Sequence, residues 1–567
     1  MKLIIKEYLA SLRERGELDA VLPDLLSQMG LNVFISPSRG VKEYGVDIAA
    51  VGKIGDEAEK IYLFSVKSGN LTHDTWNGVA SQSLRPSLDQ IIDAFIPSRI
   101  PSKHKGKPIE IVLCFGGDVH SGIRQEVSGY TNRNTRDNIS FDEWNGDRLA
   151  GLIEQYFMRE DLAPEHVRSG LRKSLAMLDE PDISFKHFKY MVSTIYDVNH
   201  EETDRKVTAL RQILIYNWIL YSWCRDEGNL ESTYLASEYS LLISWELFKS
   251  FIDKKTKPAR SALLTFNAIF QLYIEVSSKF IDKFIPHSEC LHAISKSISP
   301  SCPTDVNLKL FDLIGRIALR GLWMYWFLQR TEPQNLDMKK IISQNIYAIN
   351  DCLIKTINNN PMLFTPYKDD QAIDIVLALW FMALNPKRNR KNLHGWLWQL
   401  MQSCFSTLNS RQDYPSMLSS YSDLIRAQRP RTDEYFQSIT KGSILYPFIS
   451  IFAAIFDFKD IFDQVVDIKG KYLKHCNFQI YFFDETSEQH LYLNSDVHGA
   501  ILSHVTIDKG PDAFLDEIVK ECEHSAHYYN LSTCQYGFWP IILMACRHYR
   551  LPVPVHLLIE LHKHFSR

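Results

Sequence analysis

The sequence predicts a multidomain protein, with an N-terminal α/β domain in which helices flank a mixed sheet and a large, mainly α-helical region after it. Three observations predict this architecture. Helical and strand-like segments alternate through the first 160 residues. Beyond that point, apolar residues recur at helical spacing almost throughout. The length of 567 residues also exceeds what a single hydrophobic core accommodates.

The N-terminal elements follow the order helix, β-hairpin, helix, strand, helix, strand and helix. Apolar residues at helical spacing and a stopping glycine, Gly30, predict the first helix. The charged turn "KIGDEAE" joins two strand-like segments as a hairpin. The predicted strands are residues 31–38, 44–52, 60–69, 108–117 and the start of 138–157. The predicted helices are residues 17–30, 83–96, 119–133 and the end of 138–157.

The predicted domain boundaries come from changes in composition and in predicted secondary structure along the chain. We expect a domain at residues 1–160 and a polar, proline-punctuated junction at 161–186. A helical domain at 187–460 and a C-terminal helical subdomain at 461–567 follow, and the subdomain contains a small β-hairpin at residues 478–495. No fixed-period repeat is present, although a helical array with degenerate repeats fits the pattern.

Composition and missing motifs exclude several classes of protein. The net charge of −4 gives no global basic field, so contact with nucleic acid would need a local basic patch. The ten cysteines form no CxxC pair and no signal peptide precedes them, which predicts a cytoplasmic protein with reduced thiols. The apolar runs are too short to cross a bilayer. Neither a phosphate-binding loop nor a dinucleotide-binding glycine motif is present.

The segment "KIYLFSVKSGNLT", residues 60–72, carries the strongest functional pattern. Alternate residues of a strand share a face, so Ser65 and Lys67 are expected to project together while their neighbours enter the core. On the preceding strand, Asp47 is the polar residue that breaks the apolar pattern. Because the two strands form a hairpin, Asp47 and Lys67 are expected to converge at one sheet edge, and the upstream helix offers Glu17 and Asp19.

A carboxylate, a lysine and an upstream acid are the working set of a metal-dependent phosphodiesterase. Magnesium is held by a few carboxylates and keeps several waters. It polarises a phosphate and activates a water nucleophile. A nearby lysine stabilises developing charge or orients that water. These residues therefore predict a Mg²⁺ or Mn²⁺ site at this edge of the sheet.

Residues 7–157 resemble the PD-(D/E)xK restriction-endonuclease-like superfamily, in particular its Mrr-like branch. The resemblance rests on "LLSQMGLNVF", "GVDIAAVG", "FSVKSG" and "FDEWNGDRLAGLIEQYF" in that order. It implies that Asp47 binds the metal and that Lys67 is the catalytic lysine. An acid on the upstream helix often joins the site in this family, and here Glu17 and Asp19 are the candidates.

The chain departs from the family at Ser65, where an acid or glutamine is usual. Three explanations remain open. The metal could be held by Asp47, the Ser65 hydroxyl or a water bound to it, the Val66 carbonyl and an upstream acid. A carboxylate from elsewhere could replace the missing one, and Asp89 on the following helix is the candidate. The domain could also be a degenerate nuclease fold that only binds.

Two further groups of residues invite a functional interpretation. Basic side chains near the expected site could contact phosphates, although a solvated loop is the preferred explanation. They are Arg85, Arg99, Lys103, His104, Lys105 and Lys107. A second group resembles a zinc site, but its spacing does not fit one, and helix-face residues are the preferred explanation. That group is Cys522, His524, His527 and Cys534.

The two-part layout is similar to bacterial anti-phage defence effectors, in which a sensing or assembly module restrains a nuclease. By that analogy, we expect a Mg²⁺-dependent endonuclease acting on nucleic acid, in particular double-stranded DNA. The helical region would then recognise a trigger, a protein partner or another copy of the chain. The alternative function is a catalytically degenerate scaffold or binding subunit of a larger complex, which Ser65 favours.

Overall fold

The structure is a computed structural model, and it forms two compact units, Met1–Tyr273 and Ile274–Arg567. The boundary falls within one long helix, Lys257–Asp282. The four domain segments expected from the sequence stay predictions. The described residues are 5–6, 9–10, 18–36, 44–55, 57–78, 83–157, 165–298, 302–412, 414–427, 432–493, 500–502 and 505–565.

The first unit contains a five-stranded mixed sheet, as the sequence predicts. Its strands lie in the order of the chain, with β1–β3 antiparallel and β3–β5 parallel. The β2–β3 hairpin pairs Ile48 with Phe64, and the β3–β4 pair brings Lys67 beside Phe115. The five strands are β1 Asn32–Ile35, β2 Ile48–Gly52, β3 Lys60–Lys67, β4 Ile109–Phe115 and β5 Ile139–Trp144.

Helices of the first unit follow the predicted order, with a short helix added directly after β3. Gly30 ends the first helix with φ +88°, a conformation that favours glycine. A π-helical turn, Ile91–Phe95, joins α3 to α4. The helices are α1 Asp19–Gln28, α2 His73–Asn77, α3 Leu84–Gln90, α4 Ile96–Arg99, α5 Arg124–Asn134, α6 Gly146–Phe157, α7 Glu165–Ala176, α8 Pro181–Asn199, α9 Thr203–Asp226 and α10 Glu231–Phe248.

Apolar side chains cover both faces of β3. On one face, Ile61 and Leu63 belong to a core cluster that includes Leu88 of α3. On the other face, Phe64 packs edge-on against Trp144 of β5 at 5.1 Å between ring centres. Strand β3 is therefore buried on both sides, which explains its nearly continuous run of apolar residues.

Helices make up most of the second unit. Helix α15 has the sequence "AIDIVLALWFMA", and all twelve residues are buried. Eleven of them are apolar, and the Asp374 carboxylate forms an ion pair with Arg550 at 2.8 Å. Among the described residues, no helix is long and apolar enough to pass through a membrane. From the boundary helix onwards, the helices are α11 Lys257–Asp282, α12 Ala293–Ser297, α13 Pro303–Arg330, α14 Leu336–Asn359, α15 Ala372–Ala383, α16 Pro386–Ser410, α17 Tyr421–Arg426, α18 Asp433–Ile439, α19 Leu445–Ile455, α20 Lys459–Lys471, α21 Ser487–His490, α22 Pro511–His524, α23 His527–Asn530, α24 Ser532–Gln535, α25 Pro540–Tyr549 and α26 Val555–Phe565.

The β-hairpin expected at residues 478–495 is wrong in its second arm. Strand β8, Ile480–Phe482, pairs antiparallel with β9, Ala500–Leu502, and the segment expected to return as a strand contains helix α21. The Asp484 carboxylate accepts hydrogen bonds from Thr486 N at 2.9 Å and Ser487 Oγ at 3.1 Å, and this turn leads into α21. A separate parallel pair joins β6, Gly442–Ser443, to β7, Asn477–Phe478.

Candidate functional site

The structure brings Asp47 against the end of β3. The Asp47 amide donates to Phe64 O at 2.9 Å, and Val66 N donates to Asp47 Oδ2 at 2.7 Å. The carboxylate therefore continues the hydrogen-bonding of the β2–β3 ladder beyond its last paired residues, Ile48 and Phe64. This bond fixes Asp47 beside the segment that contains Ser65 and Lys67.

Gly45 determines how the chain reaches Asp47. Its φ of +80° lies in the left-handed region, and an added Cβ would lie 2.1 Å from Ser87 O of α3. Only glycine fits this close approach without displacing the helix backbone. The glycine two residues before Asp47 thus has a steric role, because Gly45 allows α3 to pack directly against the chain that leads into β2.

Ser65 and Lys67 are much less exposed than the sequence suggested. They are 1% and 7% exposed, respectively, and in register they lie beside Leu113 and Phe115 of β4. Strand β3 is buried from Ile61 to Lys67, so the side of the strand that carries Ser65 and Lys67 is covered as well. Within the described residues, Ser65 Oγ has no hydrogen-bond partner. A buried hydroxyl without a partner costs about 1–3 kcal/mol, so this position carries a polar group that packing alone does not explain.

The candidate site lies at the carboxyl edge of the parallel strands. Strand β2 runs antiparallel to β3, so Asp47, which precedes β2, lies next to the end of β3. The end of β4 is at the same edge, where Gly117 N donates to Gly69 O at 2.8 Å. Open α/β sheets bind ligands at this edge, since the loops that leave the strands can supply functional groups there.

Three residues at this edge, Lys6, Asn70 and Asp118, were not among the candidates that the sequence indicated. Asp118 N donates to Asn70 Oδ1 at 2.8 Å, and the Asp118 carboxylate forms an ion pair with Lys6 Nζ at 2.8 Å. Hydrogen bonding to Asp118, together with its negative charge, raises the pKa of the Lys6 ammonium. The stretch "CFGGDV" could have indicated Asp118. An acid that follows a buried parallel strand by a few residues lies at the carboxyl edge of the sheet.

The upstream acids of the predicted metal site are not described. Glu17 lies outside the described residues, and Asp19 begins α1 but its side chain is not described. Val66 contributes its amide to Asp47, while the predicted role of its carbonyl stays a prediction. Within the described part of the chain, no group of three or more His, Cys, Asp or Glu side chains is arranged to hold a metal ion.

Asp89, the alternative source of a carboxylate, belongs to a different cluster. Its Oδ1 accepts a hydrogen bond from the Tyr130 hydroxyl at 2.6 Å, and the guanidinium of Arg85 lies 5.8 Å from the centre of the same ring. Arg85 also donates to Asn77 Oδ1 at 3.3 Å. Burial, followed by the bond to Asp89, raises the pKa of Tyr130. Asp89 therefore has a structural partner that explains its position, and the nucleic-acid role of Arg85 stays a prediction.

The basic loop contains side chains with different environments. Lys107 forms an ion pair with Glu59, and the guanidinium of Arg99 lies 5.2 Å from the Tyr44 ring centre. His104 is buried, and burial lowers its pKa below the ordinary value. Lys103 and Lys105 are exposed, so these two cations are the most accessible for a phosphate. Their contact with nucleic acid stays a prediction.

The segment with the cysteines and histidines of the zinc-like group spans three helices, α22, α23 and α24. Cys522 is buried on α22, and His524 Nδ1 lies 2.6 Å from the carbonyl oxygen of Lys520 in the same helix. His527 begins α23, and burial raises the pKa of the Cys534 thiol to about 12. Cys522, His524 and Cys534 thus have surroundings within their own helices or local packing.

Comparisons of this chain with protein-family models, with curated proteins and with solved structures found no match.

Proposed function

We propose that the first unit is a restriction-endonuclease-like domain that hydrolyses phosphodiester bonds of nucleic acid with Mg²⁺ or Mn²⁺. The observation that carries this proposal is the 2.7 Å bond from Val66 N to Asp47 Oδ2. It holds a carboxylate against the strand segment that contains Ser65 and Lys67, at the sheet edge where α/β proteins bind ligands.

Each residue has a distinct role in the proposed site. Asp47 supplies an anionic oxygen ligand, and the Ser65 hydroxyl supplies a neutral one, which agrees with its burial without a hydrogen-bond partner among the described residues. Lys67 stabilises negative charge that develops on the phosphate. When bound, the divalent cation supplies Lewis acidity for the phosphate oxygens and the attacking water.

Double-stranded DNA is the proposed substrate, and defence against phage is the proposed context. The net charge of −4 does not attract DNA to the whole molecule, so local cations such as Lys103 and Lys105 would position the phosphate backbone. The helical region would recognise a trigger, a protein partner or a second copy of the chain. This assignment of the helical region rests on analogy of layout.

A scaffold or binding subunit is the second candidate. The specific observation in its favour is the serine at position 65, which gives the strand a neutral side chain where a metal site would gain most from a carboxylate. The same function also agrees with the burial of Lys67. A scaffold of this kind would bind neither Mg²⁺ nor Mn²⁺ at Asp47 and would co-purify with a partner.

A cleavage assay with a matched pair of lysine variants tests the proposal. Plasmid DNA and single-stranded RNA are incubated with wild type, Lys67→Met or Lys53→Met in Mg²⁺, Mn²⁺ or EDTA. Lys53 is an exposed residue in the β2–β3 turn, so its substitution makes the same change of charge away from the site. We expect metal-dependent cleavage that falls by at least about 100-fold in Lys67→Met and is unchanged in Lys53→Met.

Metal binding separates the two candidate functions when no cleavage is observed. Asp47→Asn keeps an acceptor for Val66 N but removes the negative charge. Titration with Mn²⁺, followed by electron paramagnetic resonance, should show binding to wild type and loss of that binding in Asp47→Asn. If wild type binds no Mn²⁺ and cleaves neither substrate even with its co-purifying partner, the nuclease proposal is wrong and the scaffold function is favoured.

A further inference from the structure

A cavity of about 140 Å³ lies entirely within the second unit, between residues 325 and 388. Helices α13, α14 and α15 and the start of α16 supply its walls. The side chains that matter for its chemistry are Tyr325, Ser343, Tyr347, Asn350, Phe381 and Arg388. Aromatic rings, the two amides of Asn350 and Asn385 and one guanidinium thus line a single space, which is the composition typical of small-molecule sites.

The floor of the cavity contains an unsatisfied polar group. Asn350 is only 5% exposed, and its Oδ1 has no hydrogen-bond partner among the described residues. Phe381 is fully buried beside it. A buried amide oxygen without a partner costs about 1–3 kcal/mol, and a ligand that donates an N–H or O–H group would remove this cost.

The mouth of the cavity is positively charged. Tyr347 is 47% exposed, and the guanidinium of Arg388 lies 5.1 Å from the centre of its ring. Arg388 Nη2 lies 3.5 Å from Asp351 Oδ1, a long distance for an ion pair. Lys387, Arg390 and Lys391 occupy the same first turns of α16, where the helix dipole already favours an anion. Arg388, in the first turn of α16, is therefore the cavity-lining cation that can pair with a negatively charged group.

We propose that this cavity binds a small organic anion in which one planar ring carries a hydrogen-bond donor. The ring enters between the aromatic side chains, its donor bonds Asn350 Oδ1, and the anionic group remains at the mouth with Arg388. The cavity volume is close to that of a cavity that accommodates a benzene ring, so a single ring fits. Pyrimidine mononucleotides combine all three features.

Isothermal titration of the full chain with uridine monophosphate tests the proposal, with uridine and ribose 5-phosphate as separate arms. We expect uridine monophosphate to bind at least tenfold more tightly than either fragment, because only it reaches both Asn350 and Arg388. Arg388→Gln should weaken binding of uridine monophosphate about tenfold or more and leave uridine unchanged. Lys391→Gln, which makes the same charge change on α16 outside the cavity lining, should weaken it less than threefold.

Asn350→Leu should weaken uridine monophosphate and uridine together, since it removes the oxygen that the ring contacts. Because Asn350 is buried, circular dichroism first establishes that this variant folds. Arg388 is exposed, so its variant tests the proposal even if Asn350→Leu does not fold. The proposal is overturned if uridine monophosphate produces no binding heat at millimolar concentration, or if Arg388→Gln and Lys391→Gln reduce its affinity equally.

Discussion

Asp47 in the sheet of the first unit and Asp369 in the helical second unit use their carboxylates in similar ways. Each accepts hydrogen bonds from backbone N–H groups of another element. Asp47 accepts from Val66 N at 2.7 Å, and Asp369 accepts from Ile444 N at 2.8 Å and Leu445 N at 3.4 Å. Asp369 thereby caps the start of helix α19 from a position 75 residues earlier in the chain.

The surroundings of these two carboxylates differ. Asp369 is 8% exposed, and both of its oxygens accept hydrogen bonds, including one from Ser443 Oγ. Burial raises the pKa of Asp369 to about 6, although these hydrogen bonds oppose the shift. Asp47 is half-buried at a sheet edge, close to a serine hydroxyl that lacks a described partner.

This difference distinguishes a structural carboxylate from a candidate catalytic one. The Asp369 carboxylate and the groups that donate to it form hydrogen bonds with one another, so its role is that of a helix cap. At the end of β3, the buried Ser65 hydroxyl has no hydrogen-bond partner among the described residues, so it is available to a ligand. Substitutions at Asp369 and Ser65 test this distinction.

The largest expected effect on stability is at Asp369. Asp369→Ala and Asp369→Asn both remove the charge, but only asparagine keeps an acceptor for the buried N–H groups. We expect Asp369→Ala to have a free energy of unfolding about 2 kcal/mol lower than Asp369→Asn, measured by urea denaturation. Asp433→Ala, an exposed first-turn residue of α18, is the control and should change stability by less than about 1 kcal/mol. Equal stability of the two Asp369 variants would contradict the cap.

A pH dependence of stability follows from the same carboxyl group. Its pKa is about 6 in the folded chain and 3.8 as the ordinary value, so the folded state binds the proton more tightly. Its contribution to stability is therefore complete below pH 3.8 and is lost as the pH rises through about 6. We expect the stability of wild type relative to Asp369→Asn to fall by about 1–3 kcal/mol between pH 4 and 7. A difference that stays constant over this range would contradict the raised pKa.

The smallest expected effect on stability is at Ser65, and its sign is opposite. Ser65→Ala removes a buried hydroxyl that has no described partner, so the free energy of unfolding should stay the same or rise by up to about 1 kcal/mol. The same variant should weaken Mn²⁺ binding several-fold if the hydroxyl is a ligand. A loss of stability greater than about 1 kcal/mol would show that the hydroxyl is bonded in the folded chain, which would remove this support for the metal site.

Local sequence patterns were sufficient to predict most of the first unit. The alternation of β2 and β3 and the charged turn between them predict the hairpin, because pairing of neighbouring strands needs only local information. The second arm of the C-terminal hairpin was wrong because residues 489–495 carry apolar residues like a strand, whereas Asp484 starts a turn into helix α21. Propensity cannot decide between two such local solutions when tertiary packing selects one.

The sequence by itself determined that β2 and β3 form a hairpin, which brings Asp47 to the segment of β3 that contains Ser65 and Lys67, because the pairing of neighbouring strands needs only local information. Only the tertiary structure decided that Ser65 and Lys67 are buried, that Asp118 joins the same edge and that Asp369 caps a distant helix. These features depend on contacts between segments far apart in the chain. Side-chain periodicity specifies a face, but it does not specify which element covers that face.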